Sequence, residues 1–154
     1  MRSARRWATR QAGLLETVFD LVDPILRALH PIWRGIGYKR LERPAAAIEA
    51  LFKKPLFDCQ MCGRCQIGAS GMTCPMNCPK SMRNGPCGGV RPDGNCEIEP
   101  AMPCVWVEAW QGSQRMRGSE RISALQPAAD HSLTGTSSWL RHIREGREAA
   151  ERNA

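Results

Sequence analysis

Aromatic side chains are scarce here, only 6% of 154 residues, with one tyrosine and three phenylalanines. No stretch of about 18 consecutive apolar residues occurs, so the sequence contains no candidate membrane-spanning helix. Paired carboxylates, a nucleophile–histidine constellation and a phosphate-cradling glycine loop are all missing. The nearest approach to a dinucleotide fingerprint, Gly35-Ile36-Gly37, follows no predicted strand. A (β/α)₈ enzyme barrel needs about 250 residues, which excludes that fold. Large apolar residues are few between Cys59 and Cys104, so hydrophobic burial alone does not hold that window together.

Positive charge and cysteine are what the chain has in excess. Lysine and arginine number 22 against 15 acidic residues, a net charge of +7. Residues 1–58 carry most of that excess, led by Arg2, Arg5, Arg6 and Arg10. Residues 1–12 read as a basic flexible arm, solvated and partly disordered. Such an arm suits nucleic acid, an anionic lipid surface or an acidic protein. No clustered aromatics interleave with the arginines, so base stacking lacks a platform and nucleic acid is a poor candidate partner. Ala12–Leu15 after the arginines superficially suggests a signal peptide, but Glu16, Asp20 and Asp23 interrupt it and no small-residue cleavage site follows. The expected location is cytoplasmic, where cysteines stay reduced and serve as metal-binding thiolates rather than disulfides.

Four segments follow from the pattern: the arm 1–12, a helical segment 13–58, a cysteine-rich metal-binding domain 59–111, and a polar linker with a C-terminal helix over 112–154. Leu14, Val18, Leu21, Val22, Ile25 and Leu29 recur at helical spacing, and Leu15, Phe19 and Leu26 widen the stripe. Pro24 should kink or divide this helix and Pro31 should stop it. Residues 31–44 read as a connector. Pro44 is placed to open a second short helix, with Ile48, Leu51 and Phe52 on one side and Pro55 at its end. Turns dominate 59–104, including Asn84-Gly85-Pro86 and Gly88-Gly89. Val105–Gln111 reads as a short helix or strand, with Trp106 and Trp110 on one face if helical. Trp139–Ala150 reads as the final helix, capped by Ser137 or Ser138. The fold class is a small irregular metal-stabilised Cys-rich domain with α-helical flanks and little or no β-sheet.

All eight cysteines fall in one window: Cys59, Cys62, Cys65, Cys74, Cys78, Cys87, Cys96 and Cys104. Eight thiolates complete two four-thiolate sites with none left over. The run Cys59-x2-Cys62-x2-Cys65 wraps a turn of backbone around a metal centre and presents three sulfurs. That triplet is the spacing used for [4Fe–4S] clusters. Pro75 and Pro79 follow Cys74 and Cys78, as proline follows the last cysteine of ferredoxin-type runs. Gly63 and Gly88-Gly89 let backbone approach sulfur closely. Two Zn²⁺ sites fit the count equally well, although zinc usually takes paired C-x2-C knuckles. Cys59, Cys62 and Cys65 should share a site; the spacing leaves open which later cysteines join them. His30, His131 and His142 lie outside the window and are read as surface or packing residues. Lys80 and Arg83 lie inside it, placed either to offset cluster charge or simply to face solvent.

The stretch from Cys59-Gln60-Met61-Cys62-Gly63-Arg64-Cys65 through Thr73-Cys74-Pro75-Met76-Asn77-Cys78-Pro79-Lys80, Arg83-Asn84-Gly85-Pro86-Cys87-Gly88-Gly89, Gly94-Asn95-Cys96-Glu97 and Cys104-Val105-Trp106 resembles the cysteine-rich C-terminal domain of methylenetetrahydrofolate reductases. In acetogens a similar domain is a separate small subunit beside the flavin-containing barrel. The resemblance implies an iron–sulfur electron-transfer or accessory subunit of a methylenetetrahydrofolate reductase-like flavoprotein in one-carbon metabolism. It implies flavin only on that partner, no catalytic site here, and all eight cysteines as ligands. A zinc-binding structural module of the same reductase is the alternative. The N-terminal apolar stripe must bury either against the partner or against the chain's own metal core.

Overall fold

The computed structural model describes residues 2–85 and 87–152, apart from the side chains of Arg2 and Ser3. Pro86 of the anticipated Asn84-Gly85-Pro86 turn therefore lies outside the described residues. The helices are α1 (Arg2–Arg10), α2 (Ala12–Ala28), α3 (His30–Ile36), α4 (Tyr38–Phe57), α5 (Val105–Ser113) and α6 (Ser138–Arg152). Between α4 and α5, the cysteine window is irregular apart from one 3₁₀ turn, Pro75–Asn77. No sheet forms among the described residues; isolated bridges join Val90 to Cys96 and Asn95 to Pro103. Helical flanks around an irregular cysteine-rich centre match the class expected from sequence.

Several boundaries differ. The anticipated flexible arm is helix α1, packed on α4 and α5. Ala8 and Ala12 are fully buried, and small side chains there let the helices approach closely. Arg5 is also buried, with Nη2 3.0 Å from the Glu108 carboxylate on α5. The pairing explains how an arginine leaves water, since a buried charge needs a partner. Pro24 does not divide α2, and Pro31 sits in the first turn of α3, where the missing N–H costs nothing. The predicted connector 31–44 is largely helical. Helix α4 runs through Pro44 and Pro55. Ala46, Glu49, Lys53 and Phe57 recur at helical spacing on its buried face, so tertiary packing outweighs the lost backbone bonds.

The direction of the apolar faces, which the sequence left open, is outward. Leu14, Val18, Leu21 and Ile25 of α2 are at least half exposed, and so are Ile48, Leu51 and Phe52 of α4. Helix α2 instead turns its charged face inward. Glu16 is 2% exposed and accepts backbone N–H bonds from Arg117 (2.7 Å) and Gly118 (3.0 Å). Asp23 faces α6, where it meets His142 at 3.0 Å. The stripe therefore does not bury on the chain's own core.

Two apolar clusters frame the cysteines. The first gathers Ala8, Ala12, Phe57, Ile67, Met72, Cys74 and Met116. The second gathers Cys78, Cys96, Met102, Cys104, Val105, Trp106 and Ala109.

Candidate metal centre

The C-terminal end of α4 starts the first site. Asp58 closes the helix in the left-handed conformation, and the chain enters the Cys59–Cys65 loop. This loop is braced from several sides. Gly135 donates its N–H to the Met61 carbonyl at 2.8 Å, and Arg141 of α6 donates to the Gly63 carbonyl at 3.2 Å. Gly63 sits at φ 72° against the Leu133 carbonyl, where a Cβ would fall 2.3 Å from that oxygen. Only glycine satisfies both demands. Asn77, just after Cys74-Pro75, bonds the Phe57 carbonyl (3.0 Å) and accepts from Gln60 (2.9 Å). These bonds hold the Cys74 turn against the beginning of the loop.

The outcome is a small cavity lined by Cys59, Cys62, Cys65 and Cys74. Cys59 and Cys74 are electrostatically coupled, which makes one thiol of the pair much more acidic. The neighbouring Cys74 brings Cys59 down to about 6, helped by the Met61 N–H at 3.4 Å. Cys74 moves upward, because of the neighbouring Cys59 and its own burial. Two cations face the same space. Lys53 bonds Glu49 (2.6 Å) and Ser138 (2.9 Å), and lies 5.1 Å over the Trp139 ring. Burial lowers its pKa, but the negative charge of Cys65 and Glu49 outweighs this and raises it overall. Arg83, 5% exposed, donates to the Pro127 carbonyl at 3.0 Å and the Arg64 carbonyl at 2.9 Å, and its Nη1 lies 3.7 Å from Cys62 Sγ.

The other four cysteines lie apart from this cavity. Cys78, Cys96 and Cys104 share the second cluster under Trp106. Cys96 donates its N–H to Met102 at 2.9 Å, and Cys104 to Gly94 at 3.0 Å. Cys87 belongs to the adjoining strand of chain, which the bond from Glu97 N–H to the Gly89 carbonyl (3.2 Å) lays beside Cys96. Gly85, on the same segment, touches the Trp106 indole so closely that a Cβ would lie 2.4 Å from its ring. Trp110, one helical turn on from Trp106, is 55% exposed. Lys80 points outward and pairs with Glu97. Its pKa is raised first by that bond and further by Cys87 and Cys96.

All eight cysteines are free thiols. Among the described residues, no three His, Cys, Asp or Glu side chains converge tightly enough to hold a single ion. The donor chemistry nevertheless fits a thiolate-ligated group at the first site: four sulfurs round one cavity, an acidified thiol, and buried cations to offset negative charge. Sequence reasoning named the ligand types but left the sorting into sets open. It missed Glu49 and Lys53 altogether, because their helical position carries no sign of burial.

Helices wrapped round two groups of cysteines, with no sheet or barrel among the described residues, define a small cysteine-rich domain class. This chain belongs to the methylenetetrahydrofolate reductase C-terminal family, whose profile matches residues 38–132, more than half its length. No curated protein and no solved structure matches it. Helices α1, α2, α3 and α6 lie outside the matched span. No helix among the described residues is long and apolar enough to cross a membrane.

Proposed function

We propose that this chain is a cytoplasmic iron–sulfur subunit that serves a methylenetetrahydrofolate reductase-like flavoprotein in one-carbon metabolism. One [4Fe–4S] cluster is assigned to Cys59, Cys62, Cys65 and Cys74, and a second to Cys78, Cys87, Cys96 and Cys104. The observation that carries this reading is the meeting of the Cys59–Cys65 triplet with Cys74 on one cavity, in a chain of this family. Such clusters, when bound, exchange single electrons with a neighbouring redox group. The chain's own residues supply the thiolates, donate the Met61 N–H to Cys59, and close the cavity beneath α4 and α6.

The partner surface in this reading is the outward stripe of α2. Leu14, Val18, Leu21 and Ile25 lie on the helix face opposite Glu16 and Asp23, which hold α2 to its own chain. An apolar face of that extent on a folded domain marks an interaction site.

The test is metal and acid-labile sulfide content of protein purified without oxygen. The expected result is about eight iron and about eight sulfide per chain. About two zinc and no sulfide would replace the electron-transfer role with a structural one. Co-expression with a flavin-containing reductase should give a co-purifying complex; two folded proteins that stay apart under anaerobic conditions would refute the partnership.

A further inference from the structure

The two cysteine sites differ in how charge is balanced. Each four-thiolate site carries net negative charge once it binds zinc or an iron–sulfur cluster. At the second site the nearby cation, Lys80, is at the surface and already paired with Glu97. At the first site Lys53 is buried, but Glu49 matches its charge. Arg83 is different. It is 5% exposed, and among the described residues it pairs with no Asp or Glu. Two of its three contacts are neutral carbonyls, which satisfy hydrogen bonds without balancing charge. The third is Cys62 Sγ at 3.7 Å.

A buried guanidinium without a counter-anion is strongly destabilising. Arginine stays protonated at any working pH, so it cannot escape this cost by losing a proton. Negative charge must therefore come from the cysteine site it faces. Its planar fork also ties three segments together: the Cys62 turn, the Arg64 carbonyl and the Pro127 segment.

We infer that Arg83 is the built-in counter-cation of the Cys59, Cys62, Cys65 and Cys74 site, and that it makes this site retain its metal more tightly than the Cys78, Cys87, Cys96 and Cys104 site. The inference rests on the proposed metal sites but not on which metal fills them. If the metal is iron–sulfur, the same charge raises the first cluster's reduction potential relative to the second, because added electrons are stabilised by a nearby cation. Arg83 acts through the thiolates it faces and is a positioning and charge-balancing residue.

Release of bound metal to a chelator, followed in the intact chain, separates the outcomes. Arg83→Gln removes the charge and keeps hydrogen-bonding capacity. Half of the bound metal should leave about tenfold faster, the equivalent of one pKa unit of lost charge stabilisation. The other half should be unchanged. Arg83→Lys, which keeps the charge, should release at close to the wild-type rate, and Lys80→Met should alter neither half by more than about twofold. If Arg83→Gln does not fold, release from Cys96→Ser, which keeps only the first site, is compared with release from Cys62→Ser, which keeps only the second. The first site should release more slowly. Unchanged release in folded Arg83→Gln overturns the inference, and so does equally fast release from Arg83→Lys. If only the two cysteine variants fold, equal or faster release from the first site overturns it. Zinc in place of iron and sulfide would refute the electron-transfer reading while the release rates still decide this one. A wild-type chain that binds no metal overturns both.

Discussion

The two cysteine groups occupy one short window yet are built on different principles. Cys59, Cys62, Cys65 and Cys74 stand among charges: a buried arginine, a buried lysine and the glutamate that pairs with it. Cys78, Cys96 and Cys104 stand among Met102, Val105 and Trp106, with the nearby cation Lys80 at the surface. The first site is braced by helices from both sides of the cysteine window, α4 and α6. The second is assembled locally, by bridges between Val90, Cys96, Asn95 and Pro103 and by the ring of Trp106. Charge-lined and apolar-lined thiol sites place different demands on the surrounding chain. The first needs its buried charges paired or hydrogen-bonded; the second needs only close packing.

The comparison breaks most sharply at the ligands. Cys62→Ser should abolish the first site and leave the second loaded, and Cys96→Ser should do the reverse. Each variant should retain about half of the wild-type metal, read by elemental analysis. Each should also lose stability in proportion, because metal-binding energy is folding energy in such domains. Complete loss of metal from either variant would show that the two sets interleave and that the division at Cys74–Cys78 is wrong.

A medium effect is expected at the latch that joins the first site to α6. Glu49 accepts bonds from Ser137 (2.9 Å), Ser138 and the Trp139 N–H (3.3 Å), and so satisfies donors at the start of that helix. Burial pushes its pKa up, but Lys53 and the two hydroxyls more than reverse this and hold it below the ordinary carboxylate value. Its contribution to stability is then complete above the unfolded-state pKa of about 4.3 and is lost as pH falls through the lower folded-state value. Glu49→Ala should cost about 3 kcal/mol near neutral pH, since it leaves Lys53 buried without its carboxylate. The variant should also lose this acid-sensitive part of the unfolding curve. Trp139 lies against Lys53, so its fluorescence reports the detachment of α6. A wild-type pH profile in the variant would assign the latch to other residues.

Much of the architecture is legible in the sequence, and the failures share a cause. Helical spacing located α2 and α6, and Ser137 does cap α6, its hydroxyl accepting from the Leu140 N–H at 3.3 Å. Cysteine spacing pointed to the triplet and glycine to the tight turns. Helical spacing also found the apolar stripes of α2 and α4 but left open which way they face, and both face outward. What turned these helices over was long-range polar pairing: Glu16 with the backbone of Arg117 and Gly118, and Glu49 with Ser137 and Ser138. Partners about 90 to 100 residues away leave no periodic trace. The helical arm escaped notice for the same reason, since Arg5 reads as solvated until Glu108 is placed beside it.

The smallest expected effect on stability is the most informative about α2. Leu21 is 70% exposed, so Leu21→Gln should change unfolding free energy by no more than about 0.5 kcal/mol. Glu16→Gln lies on the opposite face of the same helix, where both carboxylate oxygens are engaged. It should cost more, about 2 kcal/mol, because one buried N–H loses a charged acceptor. Thermal melts of the two variants compare the faces directly. A helix whose apolar side costs nothing to polarise, and whose charged side does, holds to its own chain through charge and keeps its apolar surface for another molecule. A larger loss from Leu21→Gln than from Glu16→Gln would mean that the stripe is buried in the folded chain, and the partner surface would have to be sought elsewhere. If the order is as expected, Leu21→Gln should also weaken co-purification with the reductase while metal content stays at its wild-type value, which separates docking from the two cysteine sites.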